Sequence, residues 1–276
     1  MVEKSGYYRA LTIGGSDNSG GAGIQADIKT FSALGCYGMS AITVLTSQNT
    51  QGVCGIQEIS SQFVVKQIIS ILDDIGVDAV KIGMLFNTSI IKEVAKCIRE
   101  YKVFPVVLDP VMFAKSGDIL LQRDAVDFMR EELFPLATIV TPNIPEAAAL
   151  LDRSIESPDE MQQAAVDLCS FGPQGVVIKG GGFSNHPSDD CMFIKNGKLQ
   201  WLRQDRIDTR NIHGTGCTFS SAITAFLAQS FTLERSVLEA KKYVSKAIVA
   251  GSNKKLGLGK GPVMHFYKTW KILREK

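Results

Sequence analysis

The sequence predicts an α/β protein with a central, mostly parallel β-sheet and helices on both faces. Two observations carry this. Short apolar runs alternate with amphipathic stretches along the whole chain, and strand–loop–helix units repeated in this way stack into parallel sheets. No internal repeat or low-complexity linker interrupts the alternation, so a single domain over residues 1–276 is expected, with its core at about residues 8–267.

The elements follow in order. Ala10 to Ile13 is an apolar run that stops at Gly14-Gly15, a strand entering a loop. Ala22 to Leu34 places Ile24, Ile28, Phe31 and Leu34 on one helical face, and Gly35 stands where a C-terminal cap belongs. Ala41 to Leu45 reads as a buried strand, and Gln62 to Leu72 as an amphipathic helix. Asp78 to Ile82 is a strand and Thr88 to Ile98 a helix. Pro105 to Leu108 is a strand ending at Asp109-Pro110, and Ile139-Val140 ends another before Thr141-Pro142-Asn143. Gly175 to Ile178 is a strand that stops at Lys179 and three glycines. Met192 to Ile194 and Leu199 to Leu202 flank Asn196-Gly197, a hairpin turn signal. Helices over about Cys217 to Gln229 and Leu233 to Ala250 close the fold, and Lys254 to Gly261 reads as a loop.

Composition excludes several classes. The 276 residues are 45% hydrophobic and 21% charged, as in an ordinary globular protein. The 30 basic and 28 acidic residues are dispersed, and no basic block points to nucleic acid or an anionic membrane. No apolar run approaches the roughly 20 residues that span a bilayer. The opening MVEKSGYYRA lacks the apolar centre of a signal peptide. Cysteines at 36, 54, 97, 169, 191 and 217 show no Cys-x-x-Cys pair, which fits a reducing compartment and a cytoplasmic location.

In open α/β sheets ligands bind beyond the carboxyl ends of the strands. The unusual residues fall there: Gly14 to Gly23, Asp109 to Gly117, Asn143 to Glu146 and Lys179 to Gly182. His213-Gly214-Thr215-Gly216-Cys217 opens a helix, where free N–H groups and the helix dipole attract an anion; an ordinary glycine turn is the plainer reading. Cys217 would sit in the first turn, where the thiol pKa is expected to fall; a buried structural cysteine is the alternative. Glu146 and Asp109 are either local caps or carboxylates near Mg²⁺ and phosphate. Lys179 is either a snorkelling lysine or a cation that balances phosphate charge. No Gly-x-x-x-x-Gly-Lys-[Ser/Thr] occurs, nor the protein-kinase motifs, nor Gly-x-Ser-x-Gly. His186 and His265 have no evident nucleophile partner and read as structural or surface residues.

Seven segments, in order, resemble the hydroxymethylpyrimidine/phosphomethylpyrimidine kinases of the ribokinase-like superfamily. They are GGSDNSGGAGIQADIKTFSALGCYG, AITVLTSQNTQGV, DAVKIGML, VVLDPVMFAKSG, TPNIPEAAALL, VVIKGG and NIHGTGCTFSSAI. The resemblance implies a ribokinase-like fold, usually a homodimer, acting on a small-molecule substrate in thiamine biosynthesis. It implies two ATP-dependent reactions: 4-amino-5-hydroxymethyl-2-methylpyrimidine becomes its monophosphate, then its pyrophosphate. By the same resemblance Gln48 hydrogen-bonds the aminopyrimidine, Gly15 and Asp27 lie in the substrate site, and Met84 and Val111 form its apolar walls. Cys217 matches a general base and the Gly214-Thr215-Gly216-Cys217 backbone an anion hole. Asn143 and Lys179 resemble ATP-phosphate contacts. Asp109 and Glu146 resemble acids on the Mg²⁺ side, acting through water.

Three positions depart from the family pattern: Asn18 for the usual Pro, Ile212 for a common Thr, and Gly182 for a frequent His. A pyridoxal/pyridoxine kinase of the same branch is the nearest rival, and Gln48 favours the aminopyrimidine because its amide can pair with a ring nitrogen and an amino group. A non-catalytic nucleotide-binding regulator is a rival of another class, against which Lys179, Glu146 and Cys217 stand.

Overall fold

The computed structural model describes residues 6–112, 121, 124–181, 189–195 and 197–270. Phe113 to Gly117, Gly182, His186 and Asn196, all named above, lie outside the described residues. The strands are β1 (Tyr8–Asp17), β2 (Cys36–Asn49), β3 (Gly52–Glu58), β4 (Ala79–Ile82), β5 (Val106–Leu108), β6 (Ile139–Val140), β7 (Gly175–Ile178), β8 (Asp190–Ile194) and β9 (Lys198–Leu202). They form one sheet in the order β3-β2-β1-β4-β5-β6-β7-β8-β9. β2, β1, β4, β5, β6 and β7 run parallel; β3 and β8 are antiparallel to their neighbours. The chain therefore steps from β1 out to β2 and β3, then returns to place β4 on the other side of β1. That reversal leaves a crevice between the carboxyl ends of β1 and β4.

Helices cover both faces. α1 (Gly23–Ala33), α7 (Thr215–Ala228) and α8 (Leu233–Gly251) pack on one. α2 (Ser61–Asp74), α3 (Thr88–Glu100), α4 (Asp124–Leu133), α5 (Ile144–Leu151) and α6 (Pro158–Ser170) pack on the other. The central strands β4 to β7 are buried along their whole length, which is why they read as apolar runs interrupted only by Lys81.

Alternation along these strands explains where the polar residues go. Leu11, Ile13, Val80, Ile82, Val106 and Leu108 point to the α2–α6 side, while Ala10, Ala79 and Val107 point to the α1/α7 side. A period of two then sends Thr12, Lys81 and Asp109 toward α1 and α7. Thr12 is in register with Lys81, and Lys81 with Val107, so these positions lie side by side.

Most expected elements are present, with two kinds of difference. β2 is longer than the apolar run Ala41 to Leu45, because its polar end pairs with β3 in an edge hairpin. β3, α4 and α6 were not expected. β3 carries two glycines and an exposed pattern that hides strand periodicity. α4 and α6 did leave signals. Ala125, Met129 and Leu133 recur at helical spacing, and Ser157 forms a capping box with Glu160.

Candidate active site

One cleft of about 1210 Å³ opens at the carboxyl ends of β1, β2, β4, β5 and β7. The candidate site residues named from the sequence line it: Gly15, Asp27, Gln48, Met84, Asp109, Val111, Asn143, Glu146, Lys179, Gly214, Thr215, Gly216 and Cys217. Its volume exceeds that of a typical single-ligand pocket and has room for two ligands side by side.

The N-terminus of α7 forms one wall. Its N-cap Gly214 has φ +76° and supplies no side-chain cap; the Thr215 N–H donates to the Ile212 carbonyl, and Thr215, Gly216 and Cys217 line the cleft without the usual capping Ser or Asp. Only glycine fits there: the positive φ disfavours other residues, and a Cβ would overlap the Gly21 carbonyl oxygen. Just before it, His213 Nε2 lies 2.8 Å from Asp17 Oδ2. The Asp17 carboxylate also accepts from the Ser19 hydroxyl and from the N–H groups of Ser19, Gly21 and Ala22. Burial pushes this carboxyl up, but the hydrogen bonds from His213, Ser19 and Ala22 outweigh it and hold it well below the usual range. Asp17 therefore binds the β1–α1 loop to the start of α7. Sequence reasoning missed this role, and an Asp opening a Ser/Gly-rich turn was the available signal.

Lys179, Asp109 and Glu146 meet beside Gly216. Lys179 Nζ lies 2.7 Å from Asp109 Oδ1 and 3.9 Å from Glu146 Oε2. A Cβ on Gly216 would lie 3.3 Å from Lys179 Nζ, which places this cation against the first turn of α7. Asp109 also accepts from Thr141 and Ser220 hydroxyls. Burial opposes its ionisation, but Lys179 and Lys81 outweigh that and hold the carboxyl below the usual range. Burial pushes Glu146 up to about 7, with the Asp109 charge adding to the rise and Lys179 opposing it. Asn143 and Glu146 form a reciprocal capping box at the start of α5. The Asn143 side-chain oxygen is thus engaged as a cap.

Asp27 and Lys81 form a second, deeper pair at 2.8 Å, with side chains 0% and 2% exposed. Thr12 and Ser221 also donate to Asp27, at 2.7 and 2.6 Å. With three donors already in place, Asp27 orients Lys81 and α7 from beneath the cleft. Lys81 was missed, although a lysine between Val80 and Ile82 in an apolar strand is itself a sign of a buried partner.

Cys217 requires a correction. The helix N-terminus was expected to lower its thiol pKa, yet burial pushes it up to about 11, and the Asp27 and Asp109 charges add to the rise. Lys81 and a hydrogen bond from the Gly23 N–H oppose this without overcoming it. The resting thiol is protonated at neutral pH.

Another part of the wall is apolar. Met84 and Val44 are buried, with Phe86 and Val111 packed against them. Gly15 fits because a Cβ there would lie 3.0 Å from Val44 Cγ1 and 3.2 Å from Met84 Sδ. Gln48 projects from the end of β2, beyond β1, and lines the same cleft. Ile212 and, from α8, Val244 and Ile248 add further apolar lining that sequence reasoning did not identify.

Residues 17–264 match the phosphomethylpyrimidine kinase family. The chain belongs to that family. It is 45% identical over 262 residues to the hydroxymethylpyrimidine/phosphomethylpyrimidine kinase of Escherichia coli K12, covering 95% of this chain and 98% of the relative. The crystal structure of a phosphomethylpyrimidine kinase from Clostridium difficile 630 superposes with a TM-score of 0.77 at 41% identity, covering 87% of this chain and 99% of that one. An ADP complex of Bacillus subtilis pyridoxal kinase superposes with a TM-score of 0.86 at 39% identity, covering 93% and 97%.

Proposed function

We propose that this family member phosphorylates 4-amino-5-hydroxymethyl-2-methylpyrimidine from Mg-ATP and then phosphorylates the monophosphate, within thiamine biosynthesis. One observation carries the reading. A single cleft joins a helix N-terminus built for an anion, the cation Lys179 beside it, and an apolar pocket bearing the Gln48 amide.

The backbone N–H groups at the start of α7 bind the oxygens of the transferred phosphoryl group, and Lys179 meets the charge that develops on them. Gln48 pairs with the aminopyrimidine edge while Met84 and Val111 sandwich the ring. Ile212, Val244 and Ile248 offer apolar surface for the adenine. Cys217 acts as the thiolate, the form that the adjacent Lys81 charge favours: it takes the proton of the alcohol and becomes the thiol, while the alcohol oxygen bonds to the γ-phosphorus and the bond from that phosphorus to ADP breaks.

The acids at Lys179 suit a divalent cation. Asp109 and Glu146 share Lys179, and a Glu146 carboxyl pushed up to about 7 is one that a further cation would help to ionise. Among the described residues no group of three or more His, Cys, Asp or Glu is placed to hold a metal alone. Mg²⁺ commonly uses one or two carboxylates with water and phosphate oxygens, so Asp109 and Glu146 would hold it. When bound it neutralises phosphate charge during transfer.

A homodimer is proposed on the family resemblance, supported by the exposed apolar side chains Leu45 and Ile56 on the edge hairpin. Among the described residues no helix is long and apolar enough to cross a membrane; a cytoplasmic setting is proposed from the cysteine usage.

The test is to incubate the enzyme with Mg-ATP and either the pyrimidine alcohol or pyridoxal, and to identify products by mass. The mono- and pyrophosphate of the pyrimidine are expected. Pyridoxal phosphate alone, with no pyrimidine product at saturating substrate, would favour the pyridoxal kinase reading that the Bacillus subtilis superposition offers.

A further inference from the structure

We infer that Asn18 is a positioning residue for Gln48 and so sets the affinity of the acceptor half of the site. The inference rests on the reading that Gln48 binds the pyrimidine.

β1 and β2 pair in parallel up to Asp17↔Thr46, where β1 ends. β2 continues to Asn49, so its last residues have lost their partner on that side. Side-chain hydrogen bonds reinforce the last pair of the ladder and then extend it. Thr46 Oγ1 donates to the Ser16 carbonyl at 2.8 Å. Two residues on, where the strand again turns the same edge toward β1, the Gln48 N–H donates to Asn18 Oδ1 at 2.7 Å. The Asn18 amide oxygen thus stands where a backbone carbonyl of a longer β1 would have stood.

On the other edge the β2–β3 ladder shifts register between Ser47 and Gln48, and Gln48 pairs with Val53 beyond the shift, so the Asn18 bond adds a second anchor at an irregular point of the strand. Thr46 and Gln48 share one face of the strand, and both line the cleft. Fixing the backbone at 46 and 48 therefore fixes where the Gln48 amide can reach. A proline at position 18, the usual family residue, has no side-chain acceptor and cannot make this bond.

Asn18 also adjoins Asp17, whose carboxylate binds His213 ahead of the anion hole. The two neighbours act on different ends of the site. Loss of Asn18 should loosen the acceptor and leave the phosphate end in place.

The experiment measures kcat and the KM values for pyrimidine alcohol and ATP in wild type, Asn18→Ala and Asn18→Asp. Hydrogen exchange at the Gln48 amide is read by NMR on the same proteins. Asn18→Ala is expected to raise the pyrimidine KM about three- to tenfold, the range for one partly exposed hydrogen bond. ATP KM and kcat should stay within about twofold, and the Gln48 amide should exchange faster. Asn18→Asp keeps an acceptor oxygen and should restore both the KM and the protection. An unchanged pyrimidine KM in Asn18→Ala, or equal losses for ATP and pyrimidine, overturns the role of Asn18 while leaving the substrate reading intact. A wild-type enzyme that makes no pyrimidine product overturns the substrate reading and this inference with it.

Discussion

Cys217 shows how far a residue's neighbours can reverse the expectation drawn from its position. A thiol in the first turn of a helix is ordinarily acidified, but here burial and two nearby carboxylates outweigh the helix end and Lys81. The thiolate proposed as the base is therefore scarce in the resting enzyme and becomes more abundant as pH rises toward about 11. For the alcohol, kcat/KM reports the free enzyme and should climb above pH 7 by up to about tenfold per unit. The monophosphate already carries an anionic oxygen and needs no base, so its profile should stay nearly flat above pH 7.5. Cys217→Ala should lower alcohol turnover by roughly two to four powers of ten and abolish the slope. Steady-state kinetics from pH 7 to 9.5 with each acceptor provide the check. A slope that survives in Cys217→Ala places the base elsewhere. The Cys217 position was legible from HisGlyThrGlyCys; its ionisation was not, because Asp27, Lys81 and Asp109 come from three distant parts of the chain.

At the scale of elements, the start of α5 performs two tasks with one residue. Glu146 closes the capping box with Asn143, and its carboxyl also faces Lys179 and Asp109. The sequence showed Asn-x-x-Glu after a strand, but capping and cation binding were left as alternatives because one motif serves both. Thr12, Lys81 and Asp109 were harder to connect, since only the register of β1, β4 and β5 brings them to one face. The Glu146 pKa of about 7 lies above its ordinary 4.5, so the native state favours the protonated form. Its contribution to stability is then complete below pH 4.5 and is lost as pH rises through 7. Glu146→Gln keeps an acceptor for the Asn143 N–H and cannot ionise. In buffer without divalent cations or nucleotide, its Tm relative to wild type should improve between pH 5 and pH 8. Thermal unfolding of both proteins across that range is the measurement, and a difference independent of pH would mean that Glu146 titrates normally.

Across the whole molecule, the parallel sheet was legible because β4 to β7 are buried on both faces and carry almost no polar residue. The edge hairpin was not, since β3 carries glycines and exposed side chains and gains its definition from β2. That hairpin brings Gln48 to a cleft it shares with residues of the strand ends and α7, so the proposed acceptor and phosphate sites fall in one crevice. The central claim is that this one crevice carries both phosphorylations. Lys179, against α7 and between two acids, meets the same phosphate charge in each. The most direct measurement is turnover of wild type and Lys179→Ala with the alcohol and, separately, with purified monophosphate, on the same preparations. Both steps should fall together, by a factor on the order of 10²–10³. Wild-type turnover of either acceptor by Lys179→Ala would contradict a shared site.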